Sequence, residues 1–345
     1  MNPMIMTIMM SSLGLGLIIT ASSYHWFLAW VGLELNTLAI IPMMAKQHHP
    51  RATEAATKYF IIQSTASAMI LLSSMMNAWK LGTWDITQLS TNPATTLLTI
   101  ALALKLGLAP MHFWLPEVMQ GTTMMTSMII TTWQKLPPMS LLYMTANHLP
   151  TTIIFLMAIT SILIGGWTGL NQTQLRKILA YSSIAHLGWI TVICTLSKNL
   201  LLLNLAIYLI MTLSMFMMLI TTTAKTAKDL GMTWTTSPTL TTMTMITLMS
   251  LGGLPPLTGF MPKWLILEEL TAHHLTPLAT IIALSSLLSL MFYMRLTYIT
   301  TLTLAPHTTN NTMKWRFKPT KPINPTSMTI TMLLLLPITP LIYSY

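Results

Sequence analysis

The chain has 345 residues, of which 53% are hydrophobic and only 7% charged. A soluble globular surface needs about 25% charged residues, so this composition excludes a water-soluble body and implies an outer surface that faces lipid. The formal net charge of +10 comes from 17 Lys+Arg against 7 Asp+Glu and falls between long apolar runs, which points to loops at an anionic membrane surface and away from nucleic acid.

The N-terminus passes from Met1-Asn2-Pro3 straight into an apolar run too long for a signal peptide and without the Arg- and Ser-rich character of a transit peptide. About twenty apolar residues span a bilayer core. On that measure the sequence predicts an all-α polytopic membrane protein of about eleven transmembrane helices, at roughly 3–22, 25–45, 57–78, 93–115, 123–146, 150–171, 175–195, 199–224, 238–268, 276–300 and 324–343. They form a single domain over 1–345, with half-repeats at 1–146 and 150–300, a polar loop at 301–323 and a final helix at 324–343. Gly14-Leu15-Gly16 in the first helix is part of an apolar run and no dinucleotide fingerprint.

Charge placement tests this division. Loops after the even-numbered helices hold Lys46, Arg51, Lys58, Arg176, Lys177, Lys225, Lys228, Lys314, Arg316, Lys318 and Lys321, whereas the opposite side holds Lys80 and Lys198. Such a bias puts the N-terminus on the positive side and the C-terminus opposite. Arg295, near the end of the tenth helix, is expected to snorkel.

Glu34 in the second helix, Lys105 in the fourth, Lys135 in the fifth and Lys263 in the ninth lie at membrane depth. His112 follows Pro110, and His186 is central in the seventh helix. A central charged side chain costs roughly 2.5–3.5 kcal/mol on insertion scales, so these groups must face one another or water. Buried pairs acting only as glue would use one Glu34–Lys pair and leave at least two lysines without a carboxylate. Surplus amines able to gain or lose a proton are what a relay needs. The lone Cys194 rules out an intramolecular disulfide and any multi-cysteine metal or iron–sulfur site.

Two helices carry the same interruption. Gly107-Leu108-Ala109-Pro110 is followed by Pro116, and Gly252-Gly253-Leu254-Pro255-Pro256 by Pro262. With five helices of offset the two segments cross in opposite directions, the mark of an inverted repeat with discontinuous helices. Proline frees a carbonyl four residues back, tolerable in lipid only beside a cavity or protein partner.

Further blocks carry a family resemblance: Trp30-Val31-Gly32-Leu33-Glu34-Leu35-Asn36, Lys105-Leu106-Gly107-Leu108-Ala109-Pro110-Met111-His112-Phe113-Trp114, Tyr181-Ser182-Ser183-Ile184-Ala185-His186 and Gly252-Gly253-Leu254-Pro255-Pro256-Leu257-Thr258-Gly259-Phe260. With Met1-Asn2-Pro3 they make the whole chain resemble the subunit 2 family of mitochondrial NADH:ubiquinone oxidoreductase, among the antiporter-like subunits of respiratory complex I. The Met- and Thr-rich, Cys-poor composition is similar to that of proteins made inside animal mitochondria.

The resemblance implies two inverted five-helix bundles, each with one broken helix, in a form lacking three N-terminal helices of the bacterial subunits. It implies a proton relay through Glu34, Lys105, Lys135 and Lys263, with His112 and His186 bridging. It further implies a multi-pass place in the mitochondrial inner membrane, with the N-terminus at the matrix and the C-terminus at the intermembrane space. Partners would be other membrane-arm subunits, including neighbouring antiporter-like ones, and membrane lipids. NADH, FMN, iron–sulfur clusters and ubiquinone would belong to partner subunits, with no cofactor or metal in this chain. Its enzymatic part is then that of a subunit of the H+-translocating NADH:ubiquinone reductase, with no redox chemistry of its own. Two other readings are a stand-alone cation/proton antiporter and a passive scaffold.

Overall fold

The computed structural model describes residues 3–302 and Pro337. The expected polar loop from residue 303 and the final helix at 324–343 lie outside the described residues. Within them the regular elements are helices, with two isolated bridges, His25 to Asp85 and Gln174 to Thr226. In chain order these are α1 (Pro3–Ser22), α2 (Trp26–Met44), α3 (Pro50–Leu81), α4 (Asn92–Leu106), α5 (Trp114–Gly121), α6 (Met124–Thr131), α7 (Leu136–Thr145), α8 (Thr151–Gly169), α9 (Leu175–Ile193), α10 (Lys198–Thr222), α11 (Ala227–Thr236), α12 (Pro238–Gly252), α13 (Phe260–Ala272) and α14 (Thr276–Leu302). By length and composition α1, α2, α3, α8, α10 and α14 can each cross a membrane.

The chain forms two compact units, one of residues 1–161 with 190–198, the other of 162–189 with 199 onward. In the first, α1 packs on α2, α2 on α3, and α3 on both α4 and α5. In the second, α14 packs against α11, α12 and α13.

Side-chain hydroxyls inside these helices solve the problem of a Thr- and Ser-rich chain in hydrocarbon. Thr7 donates to the Met4 carbonyl, Ser73 to Ile70, Thr244 to Thr241 and Ser285 to Ile282, each at 2.7–2.8 Å. Each of these four hydroxyls finds its acceptor one turn back in its own helix, where lipid would supply none.

Expected helix 4 stops at Leu106 and resumes as α5, and expected helix 9 stops at Gly252 and resumes as α13. The fifth, expected continuous over 123–146, is interrupted by a 3-10 turn at Trp133–Lys135. The cause is Pro137-Pro138, which lack the N–H groups that would bond back across the turn. α3 begins at Pro50, not near 57, so Lys58 is helical and not in a loop; its ammonium pairs with Glu54 at 2.6 Å and Glu117 at 2.8 Å. His25 and His49 cap helices: each Nδ1 accepts a backbone N–H, from Phe27 and from Arg51.

α11 falls in a segment read as a loop. It starts with a capping box in which Thr226 and Asp229 satisfy each other's backbone N–H. Burial works against the Asp229 carboxylate, but the N–H groups of Thr226 at 2.8 Å and Lys225 at 3.0 Å outweigh it and hold its pKa below the usual range. Because the folded carboxyl is the stronger acid, its contribution is complete above about pH 4 and is lost as pH falls through the lowered value. Asp229→Ala is expected to cost α11 about 1 kcal/mol, read as faster amide exchange over 230–233; unchanged exchange at neutral pH would contradict the cap.

Candidate functional site

The first unit contains Glu34, Lys105, His112 and Lys135. α4 ends because Gly107 adopts φ 75°, in the left-handed region open to glycine. Its N–H bonds the carbonyls of Ala103 at 2.8 Å and Leu104 at 3.2 Å, and Leu108 N–H reaches Ala103 at 2.9 Å, closing the helix in a Schellman turn. The Leu106 carbonyl at this end accepts a hydrogen bond from Lys135 Nζ. Lys135, 2% exposed, reaches it from the 3-10 turn between α6 and α7. Its ammonium also lies 5.6 Å from the ring centroid of Trp114, whose indole N–H donates to the Leu104 carbonyl at 3.1 Å. A cation thus rests on the negative end of a helix dipole and on an aromatic face.

Lys105 is 4% exposed, in the last turn of α4, and its Nζ has no hydrogen-bond partner. Glu34 is half-buried on α2 and is the carboxylate whose charge acts on Lys105, though the two form no ion pair. Glu34 Oε2 accepts instead from the Thr37 hydroxyl at 3.0 Å. Nearby, Gln134 Nε2 donates to the Asn36 carbonyl and Tyr59 OH to Gln134 Oε1, both at 3.3 Å. His112 sits in the turn between α4 and α5, 2% exposed, its ring 4.3 Å from that of Phe113 and its Nδ1 unpartnered. It makes no hydrogen bond to Lys105 or Lys135.

The second unit contains His186 and Lys263. α12 ends as α4 does: Gly253 has φ 80°, its N–H bonds Met249 at 3.1 Å and Ser250 at 3.0 Å, and Leu254 N–H reaches Met249 at 3.4 Å. Lys263 Nζ donates to the buried Gly252 carbonyl at 2.8 Å. A β-carbon at position 253 would stand 2.7 Å from that Nζ, so glycine here both shapes the turn and admits the amine. The half-buried His186 on α9 bonds the neighbouring Leu251 carbonyl, and its ring lies 5.7 Å from that of Tyr208. Tyr208 in turn bonds Ser183. His186 and Lys263 therefore converge on consecutive carbonyls at the end of α12. The turn after Pro255-Pro256 leads back into α13, which carries the lysine.

The two breaks share backbone geometry but not chemistry. Glu117 stands ten residues after Gly107 as Lys263 stands ten after Gly253, yet Glu117 pairs with Lys58 and the amine at the first break comes from another element. Arg295, expected to snorkel, is tied to protein: its guanidinium donates to the carbonyls of Leu170 and of Gln172, the latter at 2.6 Å. The carbonyl acceptors and the Gln134 amide were not anticipated from sequence; Gln134, next to Lys135, was the available signal.

The chain matches the family model described as NADH:quinone oxidoreductase/Mrp antiporter, transmembrane, over residues 23–291, and that described as the NADH dehydrogenase subunit 2 C-terminus over 290–343. It is 55% identical over 341 residues to NADH-ubiquinone oxidoreductase chain 2 of Latimeria chalumnae, covering 99% of this chain and 98% of that one. Its counterpart of the same name in Carassius auratus is 54% identical over 343 residues, covering 99% of each. Among solved structures, a chain of respiratory complex I from Thermus thermophilus with bound aureothin has a TM-score of 0.86 at 24% identity, covering 99% of this chain and 79% of that one. A chain of the Mrp complex from Dietzia sp. has a TM-score of 0.83 at 16% identity, with coverage of 96% and 74%. These two likenesses establish a common fold.

Proposed function

This chain belongs to the NADH:quinone oxidoreductase/Mrp antiporter family, in its NADH dehydrogenase subunit 2 branch, and on that premise we propose that it is a proton-translocating membrane subunit of respiratory complex I. Partner subunits oxidise NADH and reduce ubiquinone; this chain carries protons across the mitochondrial inner membrane in response. It crosses that membrane about eleven times in two inverted five-helix bundles, with its N-terminus at the matrix. The matched closures at Gly107 and Gly253 support the repeat.

The observation that carries the reading is the burial of Lys105 and Lys135, 4% and 2% exposed, without a carboxylate in contact. Buried amines held by carbonyls, an aromatic face and a distant acid are held loosely enough to exchange a proton. The relay runs Glu34–Lys105–Lys135–His186–Lys263, with His112 beside it. While Glu34 is ionised and oriented towards Lys105, the ammonium is stabilised. When a neighbouring antiporter-like subunit draws Glu34 away, Lys105 passes its proton inward and Lys263 releases one towards the less basic side. Lateral contacts are with such subunits and with lipid, and the redox cofactors belong to the partner subunits that oxidise NADH and reduce ubiquinone. The helix breaks supply what the relay needs from the fold, which is carbonyl dipoles on which an amine can rest in either state.

The test is Lys105→Ala in the intact, reconstituted complex. Pumping-linked NADH:ubiquinone turnover is expected to be abolished; near-normal turnover with full proton stoichiometry would reject the assignment.

A further inference from the structure

Beside Lys105 lies a small cavity of about the size of a water molecule, lined by Asn36, Thr37, Gln63, Lys105 and Gln134 with Leu33 and the Pro137-Pro138 pair. We propose that it is a built site for one water molecule, and that this water, with the Thr37 hydroxyl, passes the proton between Lys105 and Glu34. The proposal rests on the relay reading above and deepens it, by replacing a direct Glu34–Lys105 ion pair with a defined chain of hydrogen bonds.

Three buried polar atoms of residues that line the cavity lack a protein partner: Lys105 Nζ, Asn36 Nδ2 and Asn36 Oδ1. Their residues are 4% and 1% exposed. Leaving a buried polar atom unpaired is costly, and bulk water does not reach it at membrane depth. The Asn36 amide cannot swing away to find another partner, because it is packed against Gly16 of α1, where a β-carbon would fall 2.9 Å from Asn36 Cγ. One water answers all three. It accepts from Lys105 Nζ and from Asn36 Nδ2, donates one hydrogen to Asn36 Oδ1, and keeps a second hydrogen to donate.

That second hydrogen has an acceptor on the same wall. The Thr37 hydroxyl already spends its own hydrogen on Glu34, at 2.9 Å to the carbonyl and 3.0 Å to Oε2, so its oxygen is left to accept. The chain then reads Lys105 N–H to water, water O–H to Thr37 Oγ1, and Thr37 O–H to Glu34 Oε2, with every donor pointing the same way. A proton shift along it breaks the Lys105 N–H, one water O–H and the Thr37 O–H. It forms a new water O–H, a new Thr37 O–H and a Glu34 O–H. Water and threonine end unchanged; the ammonium and the carboxylate end neutral.

Two measurements on the intact complex test this. A map that resolves ordered waters is expected to show one within hydrogen-bond distance of both Lys105 Nζ and Asn36. Per assembled complex, Thr37→Val is expected to lower proton-coupled turnover about tenfold or more, whereas Thr37→Ser, which keeps the hydroxyl, stays near wild type. A well-ordered map without that water, or Thr37→Val turning over as fast as Thr37→Ser, would overturn the proposal. If Lys105→Ala is inactive while Thr37→Val is fully active, the water site fails and the relay stands. If Lys105→Ala itself pumps normally, both fail.

Discussion

The intact complex carrying Lys263→Arg is expected to assemble and yet to lose NADH-driven proton translocation by about tenfold or more. Arginine keeps the positive charge and can still donate to the Gly252 carbonyl at the end of α12, as Lys263 Nζ does at 2.8 Å. What it cannot do is release its proton, since a guanidinium stays charged in proteins. The substitution therefore separates two roles that removal of the side chain would confuse. If Lys263 were glue, fastening α13 to α12 by charge and hydrogen bond, arginine would serve as well and turnover would persist. If Lys263 is a carrier, an ever-protonated group at its position blocks the path in a folded protein. Acidification by proteoliposomes, normalised to assembled complex, distinguishes the two.

Gly259→Ala is expected to act earlier, on the fold itself. A β-carbon at Gly259 would lie 1.7 Å from the Ser250 carbonyl oxygen and 2.8 Å from its carbon, with Met211 Sδ at 3.2 Å. The nearest atoms belong to the backbone of α12 and have no rotamer to move into. Either α12 shifts or the turn from Gly253 to Phe260 opens, and both release the carbonyls on which Lys263 and His186 rest. A cost of about 3 kcal/mol or more should appear as a large drop in assembled complex and in its thermal stability. Wild-type abundance would show that the turn is looser than its geometry.

Those two positions also show which features can be read from sequence. The breaks at Gly107 and Gly253 were legible because glycine and proline are local punctuation, and because the same spacing occurs twice. The interruption at Trp133–Lys135 carries only Pro137-Pro138, which reads equally well as a tolerated start of a helical segment. α11 was missed because its capping box, Thr226 to Asp229, sits in a polar stretch that hydropathy assigns to a loop. Lys105, Lys135 and Lys263 were identifiable as candidates from their depth in apolar runs. Their acceptors were not, because a carbonyl freed by a helix end has no side-chain signature. The same holds for Arg295, which sequence leaves free to reach the membrane surface and which the structure ties to Leu170 and Gln172.

All of this depends on buried amines that change their protonation state during turnover. The most direct measurement is the number of protons translocated per NADH oxidised by the reconstituted complex with Lys135→Met, set beside the unaltered complex. Methionine fills the space over Trp114 and leaves the Leu106 carbonyl without its cation. The account predicts that the ratio falls or that coupled turnover stops, in complex that has assembled. An unchanged ratio at an unchanged rate would contradict it.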